Sequence, residues 1–297
     1  MKIVNKIKCN AKNDRIFRQM CQNNDEQFIR LLLHTEVRWL SKGVCLTRFV
    51  ALYASIIQFL EENDEIDLCH ELKIVKNDAF YLANIFKRFE DVNLQLQGAF
   101  KTLICCKNTV SLFIEKLHIF RRNLLKKEFH QFPNLFSIKE DITPEEIERF
   151  SDHIKQLALD MKVRFNDILN FKISNWMFNP FTVDVNEVDI VFQEEILELK
   201  YDEESKNSFN KHGIAKLWQN KKMPKLYPKM WENMKNILIP FPTSYLVESG
   251  FSAVNNIMSK QRNRLNITER GDFRLFLTKI EPDMNEIISK HQAQGSH

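Results

Sequence analysis

Along much of the chain, apolar residues recur three and four positions apart, the period of one face of an α-helix. From Ser41, which suits an N-cap, the residues Leu46, Phe49, Val50, Tyr53, Ile57 and Leu60 keep that period and predict a helix to about Glu62. The acidic stretch EENDEIDLCHE breaks the pattern and reads as a linker or exposed turn. Leu82, Ile85, Phe89, Val92 and Leu96, followed by Val110, Phe113, Leu117, Phe120 and Leu124, restore it. They predict two long amphipathic helices, or one interrupted near Gly98, packed as in a bundle.

The sharpest start signal is Thr143-Pro144-Glu145-Glu146. Thr is placed to cap, Pro favours the first helical position, and Glu146 completes a capping box. Behind it, Ile147, Phe150, Ile154, Leu157, Met161, Phe165 and Ile168 form another stripe. The segment NWMFNPFTVDV, with Pro180, reads as a loop. Helical spacing returns over 190–204, near Ile214–Trp218, and at about 229–238 between Tyr227-Pro228 and Pro240. A last helix is predicted from Thr243 or Ser244 to Met258. The fold class that follows is all-α and multi-helical, with room for a few short strands.

Composition agrees with this. Only 6 of 297 residues are Gly, about 2% against a usual value of about 7%, so there are few sites for tight turns. The 24 Phe residues supply much of the core volume. No apolar run approaches the ~18 residues that cross a bilayer, and the start, MKIVNKIKCNAKNDRIF, has no apolar stretch of signal-peptide length. No membrane partner and no secretion are therefore expected. The six cysteines include no CxxC pair, which points to reduced thiols in the cytosol or nucleus. Cys69-His70 has no second ligand pair at finger spacing, so no metal site is expected.

Net charge is only +4 but is unevenly placed. Residues 1–50 hold ten Lys/Arg against four Asp/Glu, a net of +6. Residues 184–204 hold nine acids and one Lys, a net of −8, and residues 206–235 hold eight Lys and one Glu, a net of +7. Such segregation permits contact between basic faces and nucleic acid, although charge runs are more often simply solvated.

Three features carry candidate chemistry. Arg38-Trp39 could stack on a base or a hairpin end, against the bland reading of a buried Trp beside a surface Arg. Glu248 lies at the edge of the stripe formed by Val247, Phe251, Val254 and Met258, where an ionised carboxylate is costly unless paired or solvated. Lys260, Arg262 and Arg264 follow that helix, where cations suit its negative end and could equally grip phosphate.

The order and wording of five segments carry a resemblance. They are HTEVRWLSKG, AFYLANIFKRFEDVNLQLQG, WMFNPF, EEILELKYDEESKNSFN and PFPTSYLVESGFSAVNNIMSKQRNRLN. Together they resemble transposase-like proteins of the hAT superfamily, of the Buster/Charlie type domesticated in animals and related to BED zinc-finger and SCAN-domain proteins. The likeness covers roughly residues 3 to 283. It implies a helical insertion-like domain over residues 1–205, a C-terminal dimerisation region over 206–283, a tail over 284–297, and localisation to the nucleus, or to nucleus and cytoplasm.

In that family an RNase H-like core holds two metal ions with two Asp and a final Glu, and an all-α insertion interrupts it. The resemblance makes Glu248 the final Glu and Arg38-Trp39 the family's RW motif. Two divalent ions about 4 Å apart need several carboxylates, and one Glu cannot hold them. Only 37 residues precede Arg38, and their two Asp residues, Asp14 and Asp25, lie in no strand-like run. The expectation is therefore a C-terminal half whose Mg²⁺/Mn²⁺ site is lost: a non-catalytic protein that self-associates. Trp231, Val247, Phe251, Val254 and Met258 would provide that surface, and Arg38, Trp39, Lys260, Arg262 and Arg264 would contact DNA. The alternative is a fragment of an active transposase that needs upstream Asp residues.

Overall fold

The computed structural model describes residues 2–33, 41–98, 101–238 and 245–258, with residues 273 and 275. Among them no residue lies in a β-strand, and helix packs on helix throughout. The all-α, multi-helical expectation holds. Three hydrophobic clusters follow one another along the chain.

The N-terminal cluster begins in a leader whose sequence shows no long stripe. It nevertheless folds as two helices, α1 (Lys2–Lys8) and α2 (Ala11–Asn23). Asn10 caps α2, its side-chain oxygen accepting from the Lys12 and Asn13 amides at 2.9 and 3.2 Å. Next come α3 (Ser41–Ala51) and α4 (Tyr53–Glu62), where one helix is predicted. The chain bends by 70° between them. The stripe changes phase at this point, which explains the break. Leu46 and Val50 pack on the central cluster, whereas Leu52, Ile56, Phe59 and Leu60 are buried in the N-terminal one. One straight helix cannot face both. Among the described residues no single helix is long and apolar enough to cross a membrane.

The predicted linker is also partly helical. Asp64, at φ 56°, makes a tight turn, and α5 (Ile66–Ile74) follows. It buries only Cys69 and Leu72, too few residues to show a period in the sequence. Cys69 is a core residue and His70 is exposed, so the two do not form a ligand pair.

The central cluster is built on α6 (Lys76–Leu96) and α7 (Leu103–Leu125), separated near Gly98 as expected. All five stripe residues of α7, from Val110 to Leu124, are buried. The short α8 (Pro133–Phe136) is tied to α6 by buried Asn84, whose side-chain oxygen accepts from the Asn134 amide at 3.2 Å. The capping box forms at the start of α9 (Pro144–Arg164): the Thr143 amide donates to Glu146 at 3.0 Å, and the Glu146 amide donates to the Thr143 hydroxyl at 3.3 Å. The helix ends at Arg164, and Ile168 belongs to a separate turn, α10 (Asn166–Asn170). Inside this cluster Tyr81 stacks on Phe150 at 4.2 Å, and its hydroxyl lies 2.7 Å from Nδ1 of His153.

The C-terminal cluster joins Ile104 of α7 to the NWMFNPF turn and to α11 (Gln193–Tyr201), α12 (Glu203–Trp218), α13 (Met223–Leu226) and α14 (Pro228–Leu238). Trp176 and Trp218 are its largest fully buried side chains, with ring centroids 6.2 Å apart. This cluster runs across residue 205, because its buried residues include Ile196 and Leu199 on one side and Leu217 and Met230 on the other. Only a short helix near Ile214–Trp218 is predicted here, but α12 starts at Glu203 and is kinked at Gly213, with φ 77° and ψ 179°. Helix α15 (Tyr245–Ile257) matches the predicted final helix.

Candidate functional site

The segment carrying the candidate residues begins at α14. Pro228 occupies the first helical position, where its missing N–H costs nothing. Met230, Met234 and Ile237, at four- and three-residue steps, are buried in the C-terminal cluster. Trp231 lies one residue off that line and is half-buried against the same cluster. The N-terminus of α14 is satisfied from a distance. The buried carboxylate of Glu195 on α11 accepts from the amides of Lys229 at 3.0 Å and Met230 at 2.9 Å.

On α15, Val247, Phe251 and Val254 form one face, which Met258 continues just past the helix end, as the spacing predicts. That face is turned outward rather than into a core. Phe251 is 66% and Val247 47% exposed, Val254 and Met258 are half-buried, and Ala253 on the same helix is buried. Phe273 approaches beside Gly250. Glu248 lies in the first turn and is exposed. A negative charge there is favoured by the helix dipole and by water, so this placement removes the desolvation cost that its apolar neighbours imply.

A two-metal site does not fit the described residues. No three His, Cys, Asp or Glu side chains converge among them. Asp14, one of the two leader Asp residues, sits among cations instead, with Lys8 at 2.8 Å, Arg18 at 3.2 Å and Arg30 at 3.4 Å. Asp25 is at φ 50° in the turn after α2. Arg38, Trp39, Lys260, Arg262 and Arg264 lie outside the described residues.

The charge segregation seen in the sequence is resolved unevenly. Much of the N-terminal basic excess is consumed internally: Lys2 pairs with Glu71, Lys6 with Glu65, and Lys8, Arg18 and Arg30 with Asp14. Arg48 lies over the Phe28 ring at 3.7 Å and donates to the Arg30 carbonyl at 3.2 Å. In the second basic segment Lys206, Lys222 and Lys235 are held by Glu203, Glu204 and Glu232.

Sequence spacing misses a polar cluster at the junction of α11 and α12. Asp202 caps α12, accepting from the Ser205 amide at 3.1 Å, the Ser205 hydroxyl at 2.7 Å and the Tyr227 hydroxyl at 3.3 Å. Burial opposes ionisation of this carboxyl, but the hydrogen bonds from Ser205 and Tyr227 outweigh it and hold the pKa below the ordinary value. The Tyr227 hydroxyl is pushed up to about 12, by burial first and then by the Asp202 charge. The cap of Asp202 on Ser205 is local, but its bond from Tyr227 and the role of Glu195 depend on partners 25 and 34 residues away, which spacing does not show.

Fold and surface together define, among the described residues, an all-α protein of several small helical cores in which the apolar face of α15 is turned outward. Residues 1–125 match the FAM200/GTF2IRD2 helical domain, which covers the N-terminal cluster and the first two long helices of the central one. Over 251 residues the chain is 25% identical to General transcription factor II-I repeat domain-containing protein 2 of Bos taurus. That match covers 84% of this chain and 26% of the relative, so the chain spans about a quarter of that protein's length. No solved structure matches it.

Proposed function

We propose that this chain is a domesticated, transposase-derived interaction module of the nucleus that has no catalytic activity and self-associates through the outward face of α15. The observation that carries this reading is the pairing of Val247 and Phe251 on a regular helix with both side chains turned to solvent. A face of that kind is stabilised when a second copy covers it. The likeness of residues 1–125 to the FAM200/GTF2IRD2 helical domain, and of the chain to a protein named for a general transcription factor II-I repeat domain, supports the nuclear and non-enzymatic parts of the reading. The hAT assignment rests on the resemblance of the quoted segments and belongs to the same proposal. The exposed Glu248, with no converging carboxylates among the described residues, is read as a relic of the family's final Glu.

Size-exclusion chromatography with light scattering tests the proposal. The expected result is a mass that rises with concentration toward twice 35.4 kDa and returns to the monomer value in Phe251→Glu. A strict monomer at high concentration overturns it.

DNA contact belongs to the same proposal, through Arg38 and Trp39 and through Lys260, Arg262 and Arg264. Binding to hairpin or single-stranded DNA is then salt-sensitive, and weakens when the three C-terminal cations are neutralised.

A further inference from the structure

The acidic segment leaves a second apolar face uncovered, far in sequence from α15. Ile196 and Leu199 point α11 into the C-terminal cluster and are fully buried. On the other side of the helix and of the 3-10 turn before it, Ile190 and Tyr201 are each 82% exposed and Leu197 is 50% exposed. Positions 190, 194, 197 and 201 follow the helical period, so these side chains share one outward line. At about 1.5 Å per residue the line is roughly 16 Å long, or three turns of a partner helix.

The charges along this line have one sign. Glu187, Asp189, Glu194 and Glu198 are exposed, and among the described residues none of the four is in an ion pair. The one cation of the segment, Lys200, donates instead to the Val183 carbonyl at 2.7 Å. At the start of the line opens a pocket of about 230 Å³, lined among others by Trp176, Glu187, Asp189 and Ser174. Two carboxylates in one pocket lining suit one ammonium or guanidinium group.

We propose that this face of α11 is a docking surface for a basic amphipathic helix of a partner protein. Its apolar residues, spaced by three and four, cover Ile190, Leu197 and Tyr201, while its Lys or Arg side chains meet Glu194 and Glu198. One cation enters the pocket beside Trp176, Glu187 and Asp189. Charge decides the occupant: a second copy presenting the same face would set Glu194 and Glu198 against carboxylates. This surface is separate from α15 and stands whether or not α15 self-associates.

The test uses the full chain and a labelled 15-residue helical peptide with a Leu face and a Lys face, read by fluorescence anisotropy. Two controls accompany it: a scrambled peptide of the same composition, and one with Glu in place of Lys. The expected result is binding of the Leu/Lys peptide at least tenfold tighter than either control. The double variant Leu197→Ala/Tyr201→Ala should lose at least tenfold in affinity while its circular dichroism is unchanged. Glu194→Gln/Glu198→Gln, which alters no apolar contact, should weaken binding and flatten its salt dependence. Equal binding of the scrambled peptide would reduce the effect to charge alone and overturn the proposal. So would unaltered binding by both variants, or no binding by the wild-type chain, the result expected if another part of the chain already covers the face. A fall in oligomeric mass in the double variant would assign the face to self-association and overturn it as well.

Discussion

Glu195 accepts hydrogen bonds from the backbone amides of Lys229 and Met230, so a carboxylate on α11 caps α14 across 34 residues of chain. The contact ties together two helices of the C-terminal cluster, and it satisfies first-turn donors that α14 cannot satisfy itself. A buried carboxylate is tolerated here because the positive end of a helix supplies both its partners and its compensating charge.

Replacing Glu195 with Ala leaves the Met230 amide buried without an acceptor. The expected loss is about 2–3 kcal/mol of stability, from two charge-assisted hydrogen bonds offset partly by water at the more exposed Lys229. Glu195→Gln keeps one neutral acceptor and should lose about 1 kcal/mol. Chemical denaturation followed by Trp fluorescence checks this directly, because Trp176, Trp218 and Trp231 all lie in or against this cluster. Equal stability of Glu195→Ala and wild type would remove the capping role.

The Asp202 cluster makes stability depend on acid. Its pKa is lower in the folded protein than in the unfolded chain, because hydrogen bonds from Ser205 and Tyr227 outweigh the cost of burial. A carboxyl lowered in this way contributes stability that is present above its unfolded pKa of about 3.9 and lost as pH falls through the folded value. Asp202→Asn should therefore destabilise the protein near neutral pH and flatten the acid limb of a stability profile. Tyr227→Phe removes one donor and should shift that limb toward higher pH. An acid limb identical in all three proteins would show that Asp202 does not contribute to it.

The legibility of the sequence follows how local each cause is. The capping box of Thr143 and Glu146 and the buried stripe of α7 involve residues three or four apart, and both are found where the spacing puts them. Helix α5 buries two residues within an acid-rich stretch, so its sequence carries almost no period. The bend at Leu52 arises because neighbouring residues belong to different cores, a fact about packing that no window of one helix contains. The outward stripe of α15 is visible in the sequence, but its exposure is not: an apolar period reads the same whether it faces a core or solvent. For that reason the pattern that located α14 and α15 equally well placed Trp231 against a core and Phe251 in water.

Gly213 holds a conformation, φ 77° and ψ 179°, that is essentially confined to glycine. A Cβ added there meets nothing within 4 Å, so any cost of substitution comes from the backbone alone. Gly213→Ala should lose about 1–3 kcal/mol. Gly213→Asn should lose a similar amount, because the left-handed helical region that Asn tolerates has ψ near +47°, far from the value here. A much milder Asn variant in thermal unfolding would mean that the kink is an ordinary left-handed turn.

The two faces of α15 should separate association from folding. Phe251 is 66% exposed and Ala253, two residues on, is 2% exposed, so the same charge placed at each tests opposite surfaces. Phe251→Glu puts a carboxylate in water on the outward face. It should leave the thermal midpoint within the scatter typical of surface changes, about 0.5 kcal/mol, while abolishing any concentration-dependent rise in mass. Ala253→Glu forces a larger ionised group into a filled space. Its expected effect is loss of helical signal or a fall in stability of several kcal/mol, about the cost of an unpaired buried charge. Light scattering and circular dichroism on the same samples distinguish the two. If Phe251→Glu lowers stability as much as Ala253→Glu does, the outward face is packed within the monomer and the self-association reading of α15 fails.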